Sequence, residues 1–312
     1  MKSTILIIDD NAETIRLLSA MVRDQARVVF ATSGPAGLAI ARTERPQLIL
    51  LDVEMQSMDG FQVCASIMAD PDLRHCPVIF VTASASTESE IACLDAGAVD
   101  FITKPLNAAV VQARVRTHLR LQAALASLDV LANNDGLTGL YNRRYFDQQL
   151  ALEVARHRRQ QTSLGLALID VDHFKRYNDH YGHLQGDDCL RQVAAALAGA
   201  TRRPGELVAR YGGEEFVVLL PNTGSDEVQR YGEWICSHVN GLQLPHAASD
   251  VAPQVTVSVG LCASVPDAAT TPSSLLEVAD SALYQAKREG RNRCSMGVVV
   301  LDSSAPAAAR PC

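Results

Sequence analysis

Two groups of acidic residues carry the chemistry this sequence could perform. The first is spread over the N-terminal third. Asp9 and Asp10 end one apolar run (STILIIDD), Asp52 ends another (PQLILLD), Thr82 a third (PVIFVTA), and Lys104 follows a fourth (VDFITKP). Carboxylates brought to one edge repel each other, and a hard cation held through oxygen and water relieves that repulsion, which suits Mg²⁺. A lysine and a hydroxyl on neighbouring strand ends offer a phosphoryl group a charge and a hydrogen bond. Each acid by itself reads equally well as a solvated loop residue. The set points to phosphoryl chemistry.

The second group centres on RYGGEEF, Arg210 to Phe216. Gly212 and Gly213 can take φ > 0 and let a ligand approach the backbone closely. Glu214 and Glu215 follow at once, and Asp170 ends the run SLGLALID. If Asp170 lies on a neighbouring strand, these carboxylates share a metal with substrate phosphates. Such ions can polarise an α-phosphate and activate an attacking hydroxyl. Lys287 and Arg291, four apart, are expected on one face of the last helix as partners for terminal phosphates. Read singly, GGEEF is a hairpin with two solvated acids and KREGR a solvated helix end.

Elements must bring these residues together. Five apolar runs alternate with helical patterns over the first 120 residues, which predicts βαβ units and a parallel sheet buried on both faces. Ligands bind beyond the carboxyl ends of such strands, where Asp9, Asp10, Asp52, Thr82 and Lys104 fall. From Asn107 the pattern stays helical without Gly or Pro as far as NNDGLTGL, which breaks it. Val111, Val115, Leu121, Leu125 and Leu128 mark an imperfect apolar stripe. The helix either packs on its own sheet alone or runs on to pair with its twin. In the second half, LVARYGGEEFVVLL reads as two strands joined at Gly212-Gly213. Further strands fall near QVTVSVGLCA and RCSMGVVVL, with helices over Arg143–Arg159, Asp187–Ala198, Asp226–Val239 and Ser273–Glu289. That mixture predicts an α+β domain.

Bulk properties narrow the function class. The 312 residues suffice for two domains, and 47% hydrophobic with 20% charged content is globular. A net charge of −7 with no Lys/Arg-rich block argues against nucleic acid as a partner. The eight cysteines are scattered singly without a CxxC pair, which speaks against a zinc cluster and fits a cytoplasmic, reducing setting. The N-terminus does not read as a signal peptide, and no apolar stretch is long enough for a membrane span. The segment LDSSAPAAARPC reads as a disordered tail.

The motifs IIDDN, LILLDVEMQSMDG, VIFVTA and DFITKP resemble the receiver domain of two-component response regulators. The resemblance implies a flavodoxin-like fold over residues 1–120, with Asp52 accepting a phosphoryl group from a histidine kinase. Asp9, Asp10, Asp52 and the Glu54 carbonyl would hold Mg²⁺. Thr82 and Lys104 would sense the phosphoryl group, and Phe101 would be the aromatic that repacks. Gln56 departs from the proline usual in the family.

DGLTGLYNRRYF, DVDHFKRYNDHYGHLQGDDCL, RYGGEEF and ALYQAKREGRN resemble the GGDEF-type diguanylate cyclase domain, similar to the palm of polymerases. The expected organisation is a cyclase domain over 135–298, a helical linker over 121–134 and a tail over 299–312. The resemblance implies that Asp170, the Val171 carbonyl and Glu214 bind Mg²⁺, with Mn²⁺ as an alternative ion. Glu214 would also act as base, assisted by Glu215. Asn178 and Asp187 would read guanine; Asp187 would face an acceptor on adenine, which penalises ATP. The His173–Phe174 backbone, Lys175, Lys287 and Arg291 would hold phosphates. Arg203 and Glu206 stand where the family carries an RxxD product-inhibition motif; glutamate moves the charge by one methylene, so weaker inhibition by product is expected. The implied protein is a response regulator that condenses two GTP into cyclic di-GMP as a homodimer. A nucleotide-binding adaptor without turnover is the alternative. A DNA-binding output finds no helix-turn-helix in the sequence.

Overall fold

The computed structural model describes residues 3–84, 86–200, 203 and 205–297. The chain divides into two compact units, 1–129 and 130–312. The first contains β1 (Thr4–Ile8), α1 (Ala12–Val22), β2 (Arg27–Ala31), α2 (Gly34–Glu44), β3 (Leu48–Asp52), α3 (Gly60–Ala69), β4 (Val78–Thr82), α4 (Thr87–Asp95), β5 (Asp100–Thr103) and most of α5 (Ala108–Asn133), whose last residues, from Val130, belong to the second. The five strands pair in parallel in the order β2-β1-β3-β4-β5, the flavodoxin-like sheet expected from the alternating runs. β1, β3 and β4 are buried along their whole length, because helices cover both faces. Ile8, Leu51 and Phe80 enter one core and Ile7, Leu50 and Val81 the other, as strand alternation requires.

Helix starts in this unit follow from capping chemistry. The Asn11 side chain accepts from the Glu13 and Thr14 amides, and Asp59 with Gln62 forms a reciprocal capping box. α5 buries only Val111 and Val115. Past them Leu121, Leu125 and Leu128 are at least half exposed.

The second unit holds β6 (Tyr141–Asn142), α6 (Arg143–Gln160), β7 (Leu164–Val171), α7 (Phe174–Tyr181), α8 (His183–Ala200), β8 (Leu207–Gly212), β9 (Glu215–Pro221), α9 (Ser225–Asn240), β10 (Val257–Ser264), α10 (Pro272–Arg288) and β11 (Cys294–Met296). Its mixed sheet runs β11-β10-β7-β9-β8-β6, with β7 antiparallel to both β9 and β10. The predicted hairpin forms, but its two-residue turn is Gly213-Glu214 rather than Gly212-Gly213: Gly212 stays in β8 and pairs with Glu215 after a bulge past Arg210, and Gly213 alone of the two glycines takes a left-handed φ, 54°. Ala167, Ile169 and Val171 pack toward α8 and α9, while Leu164, Leu166 and Leu168 pack toward α6 and α10.

Four elements differ from expectation. α7 was not anticipated, and α8 begins four residues before Asp187. FKRYNDHY has a strongly polar average, and Gly182 (φ 85°) separates two helices whose apolar residues alone look like one short stripe. β6 is only two residues long, too short to show alternation. α10 ends at Arg288, and Gly290 (φ 113°) turns the chain, so Arg291 (φ 63°) does not share a helical face with Lys287. The predicted tail lies outside the described residues.

Candidate active sites

In the first unit, parallel strands bring Asp9, Asp10, Asp52, Thr82 and Lys104 to one sheet edge. Asp9, Asp10 and Asp52 each offer an oxygen within 4.8 Å of the others, the one such triple of acids found among the described residues. Asp9 and Asp52 are nearly fully buried. Lys104 Nζ donates to Asp52 Oδ1 at 2.7 Å and lies 3.6 Å from Asp9 Oδ2. Burial pushes both carboxyls above the usual carboxylate range, and Lys104 opposes that shift. Burial alone would depress the Lys104 ammonium, but its bond to Asp52 and the charge of Asp9 raise it instead.

Asp9 Oδ2 is buried without a hydrogen-bond partner. An orphaned, buried carboxylate oxygen beside two further acids fits a hard divalent cation. Glu54 is exposed in the loop after β3. Gln56 donates its backbone N–H to Asp10 Oδ2 at 3.0 Å. Proline at that position has no such donor, so the departure from the family pattern adds a tether to Asp10. Thr82 Oγ1 accepts from the Ser84 amide at 3.1 Å, and the Thr82 carbonyl accepts from the Lys104 amide at 2.8 Å. Phe101 is half-buried, with the Arg114 guanidinium 5.5 Å above its ring. A larger cavity of about 1030 Å³ between α1 and β2 is lined by Ile15, Val28 and Phe30 and holds none of these carboxylates.

In the second unit, Asp170 lies opposite Glu215 in the β7–β9 register. The Val171 amide reaches the Glu214 carbonyl at 3.4 Å, which ties the hairpin turn to the end of β7. Lys287 Nζ stands 2.9 Å from Asp170 Oδ2. Burial raises the Asp170 carboxyl to about 6, further raised by Glu214 and Glu215 and opposed by Lys287. It is therefore ionised above about pH 6 and available as a ligand. Glu214 and Glu215 are half-buried. The donor set is all hard oxygen and suits a divalent ion, although these acids are less tightly gathered than those of the first unit.

A cavity of about 510 Å³ joins the hairpin tip to α7 and α8; Phe174, Lys175, Asn178, Asp187 and Glu214 line it. Asn178 Oδ1 is buried without a partner, packed against the backbone of Gly186. A Cβ on Gly186 would come within 1.8 Å of that oxygen. Gly186→Ala is therefore expected to displace the Asn178 amide while leaving the fold intact. The expected outcome is a KM for GTP about tenfold higher, with reduced discrimination against ATP, checked by initial rates on both nucleotides. Arg203 and Glu206 sit apart from this cavity's lining. The Glu206 carboxylate accepts from the Arg203 amide at 3.0 Å, and the Arg203 guanidinium reaches Glu227 at 3.5 Å.

Sequence reasoning gave no role to Asp172, which is buried and accepts from Thr256 Oγ1 (2.8 Å), Ser258 Oγ (2.6 Å) and the Asn292 amide (3.1 Å). The signal was available: two hydroxyls alternate along an otherwise apolar strand and need a buried partner. Asp172→Ala strands three donors, so unfolding is expected to become easier by about 3 kcal/mol, read by denaturant melts. Arg210 was likewise missed as an anchor. Its side chain donates to the Gly213 carbonyl at 2.9 Å and to Asp135 at 3.1 Å, fixing the turn to DGLTG. The cysteines Cys64, Cys76, Cys93, Cys189, Cys236, Cys262 and Cys294 are free thiols, and burial pushes Cys76, Cys189 and Cys236 up to about 12, which leaves them unreactive. Among the described residues, no helix is long and apolar enough to cross a membrane.

A flavodoxin-like sheet with acids and a lysine at its carboxyl edge, followed by a palm-like sheet with acids at its hairpin, is the organisation of a response regulator with a palm-like output domain. Comparison with known families agrees. The family model "Diguanylate cyclase, GGDEF domain" matches residues 132–293, and "Response regulator receiver domain" matches residues 5–116. The chain belongs to the GGDEF family and carries a receiver domain ahead of the GGDEF domain. "Response regulator PleD" of Caulobacter vibrioides is 33% identical over 295 residues, covering 92% of this chain and 64% of the relative's length. "Diguanylate cyclase DgcP" of Pseudomonas aeruginosa is 40% identical over 162 residues, 52% of this chain and 23% of the relative. The crystal structure of the coiled coil and GGDEF domain of DgcB from Caulobacter crescentus in complex with c-di-GMP aligns with a TM-score of 0.54 and 34% identity, covering 61% of this chain and 98% of that one.

Proposed function

We propose that this chain is a phosphorylation-regulated diguanylate cyclase that condenses two GTP into cyclic di-GMP and releases two pyrophosphates. The observation that carries it is the convergence of Asp170, Glu214, Glu215 and Lys287 beside a cavity bounded by Asn178 and Asp187. Asn178 and Asp187 read the guanine edge, which offers an acceptor at O6 and donors at N1 and N2. The His173–Phe174 backbone, Lys175, Lys287 and Arg291 take the phosphates.

Asp170, the Val171 carbonyl and Glu214 would hold Mg²⁺, or Mn²⁺ in its place; bound there, the ion supplies positive charge to the triphosphate. Glu214 accepts the proton of the 3′-hydroxyl of one GTP, and Glu215 supports it. The freed oxygen bonds to the α-phosphorus of the second GTP, and the α–β bond breaks with its electron pair leaving on pyrophosphate. The reverse attack closes the ring. Each domain holds one GTP, so two copies must face each other, and the exposed Leu121, Leu125 and Leu128 of α5 offer the homodimer a seam.

Asp52 receives the phosphoryl group from a histidine kinase. Asp9, Asp10, Asp52 and the Glu54 carbonyl would hold the receiver's Mg²⁺, and Thr82, Lys104 and Phe101 respond to the new charge. Arg203 and Glu206 form a degenerate inhibitory product site. The test is purified protein with GTP and Mg²⁺, with product quantified by chromatography. Cyclic di-GMP supports the reading. A dimer that binds GTP and makes no product refutes it in favour of a nucleotide-binding adaptor.

A further inference from the structure

The connection between α9 and β10 has no part in the assignments above, yet it carries a buried histidine. His246 is 1% exposed. Its Nε2 lies 3.3 Å from the His173 carbonyl oxygen, and its ring stands edge-on to Tyr177 with centroids 5.1 Å apart. Nδ1 is buried without a partner. A neutral imidazole has one N–H, and here only Nε2 has an acceptor to receive it. Burial favours that neutral ring by lowering its pKa.

The residue it grips is unusual. His173 is a left-handed non-glycine (φ 55°, ψ 31°) at the N-cap of α7, and its side chain makes no capping bond. The first amides of α7 therefore lack the usual internal partner and face the end where phosphates are expected. The same loop holds the turn at further points. Asp250 Oδ1 lies 2.7 Å from His173 Nε2, close enough for an ion pair but not aligned for a hydrogen bond. Asp250 Oδ2 accepts from Arg176 at 3.0 Å, and the Ala247 amide donates to Tyr181 Oη at 3.0 Å. One loop thus grips α7 at its cap, its first turn and its last residue.

We propose that His246, supported by Asp250, is a positioning residue for the nucleotide: it donates to the His173 carbonyl and holds the left-handed turn that presents the α7 amides to substrate phosphates. This rests on the cyclase reading of the same site. It predicts that the loop matters for phosphates and not for the base.

The test compares binding of GTP and of guanosine, by calorimetry, with steady-state rates in the full chain. His246→Phe keeps an aromatic ring against Tyr177 and removes the donor. GTP affinity is expected to fall about tenfold and KM to rise alike, with guanosine affinity and kcat near wild type. His246→Gln restores a donor at similar reach and should recover GTP binding. Equal GTP affinity in His246→Phe and wild type overturns the proposal, as does equal impairment of both variants or a parallel loss of guanosine. If His246→Phe does not fold, Asp250→Ala decides. Weaker GTP binding at an unchanged melting temperature supports the clamp, and unchanged binding overturns it. A wild-type chain that binds GTP without turnover sinks the cyclase reading and leaves the binding comparison intact. A wild-type chain that binds no GTP overturns both.

Discussion

Glu214→Gln is expected to lower cyclic di-GMP formation by about 10³-fold while GTP still binds. Glutamine keeps the size of the side chain and most of its hydrogen-bonding capacity, so the hairpin has no reason to move. The turn is held independently of this side chain, by the Val171 amide on the Glu214 carbonyl and by Arg210 on the Gly213 carbonyl. What disappears is one negative charge and, in the proposed mechanism, the proton acceptor for the 3′-hydroxyl. Loss of a positioned base alone costs about 10² to 10⁴ in rate. Loss of a metal-binding carboxylate adds to it, so the effect should fall in kcat. The measurement is product by chromatography beside GTP affinity by calorimetry. Product from Glu214→Gln at a rate close to wild type would remove Glu214 from the chemistry. Loss of GTP binding in step with rate would make it a binding residue instead.

How legible this was in the sequence depended on what each signal had to encode. Strands β1, β3, β4 and β7 are continuous apolar runs because both their faces are covered, so composition alone located them. The acids were legible for a related reason: a charge directly after such a run must stand at the sheet's edge. The hairpin was readable because two glycines between apolar runs leave few other conformations. One failure was a local signal overlooked, and the others came where placement depends on tertiary partners. Arg291 seemed to continue the face of Lys287 by spacing, but Gly290 ends the helix before it. α7 has almost no apolar surface of its own beyond Phe174 and Tyr177, and its start is fixed by a loop more than seventy residues further on. Nothing local to His246 announces that role. Asp172 and Arg210 were quoted within motifs, but their partners lie on distant segments that spacing does not connect.

Asp52→Asn is expected to erase any response to a small phosphodonor and to leave basal cyclase activity near wild type. In the proposed phosphorylation a carboxylate oxygen of Asp52 attacks the donor's phosphorus, one P–O bond forms and the donor's P–O bond breaks with its electron pair on the leaving group. The side chain then carries more negative charge at a buried strand end that already holds Asp9 and Asp10. Lys104, 2.7 Å away, is the group that must answer it. Its amide is bonded to the Thr82 carbonyl, and the strand that leads to it carries Phe101 and Asp100. Asp100 holds Arg114 and His118 of α5, and the Arg114 guanidinium also covers Phe101. Any repacking at Phe101 therefore disturbs a contact on α5, and α5 continues without interruption to Asn133. Asparagine preserves shape but cannot form the acyl phosphate, so this series of contacts never receives its trigger. The check is the ratio of product formed with and without acetyl phosphate, beside mass spectrometry of the intact chain. That ratio should depart from one in the wild type and return to about one in Asp52→Asn, with covalent phosphate on the wild type alone. A response that survives in Asp52→Asn would place the control somewhere other than this carboxylate.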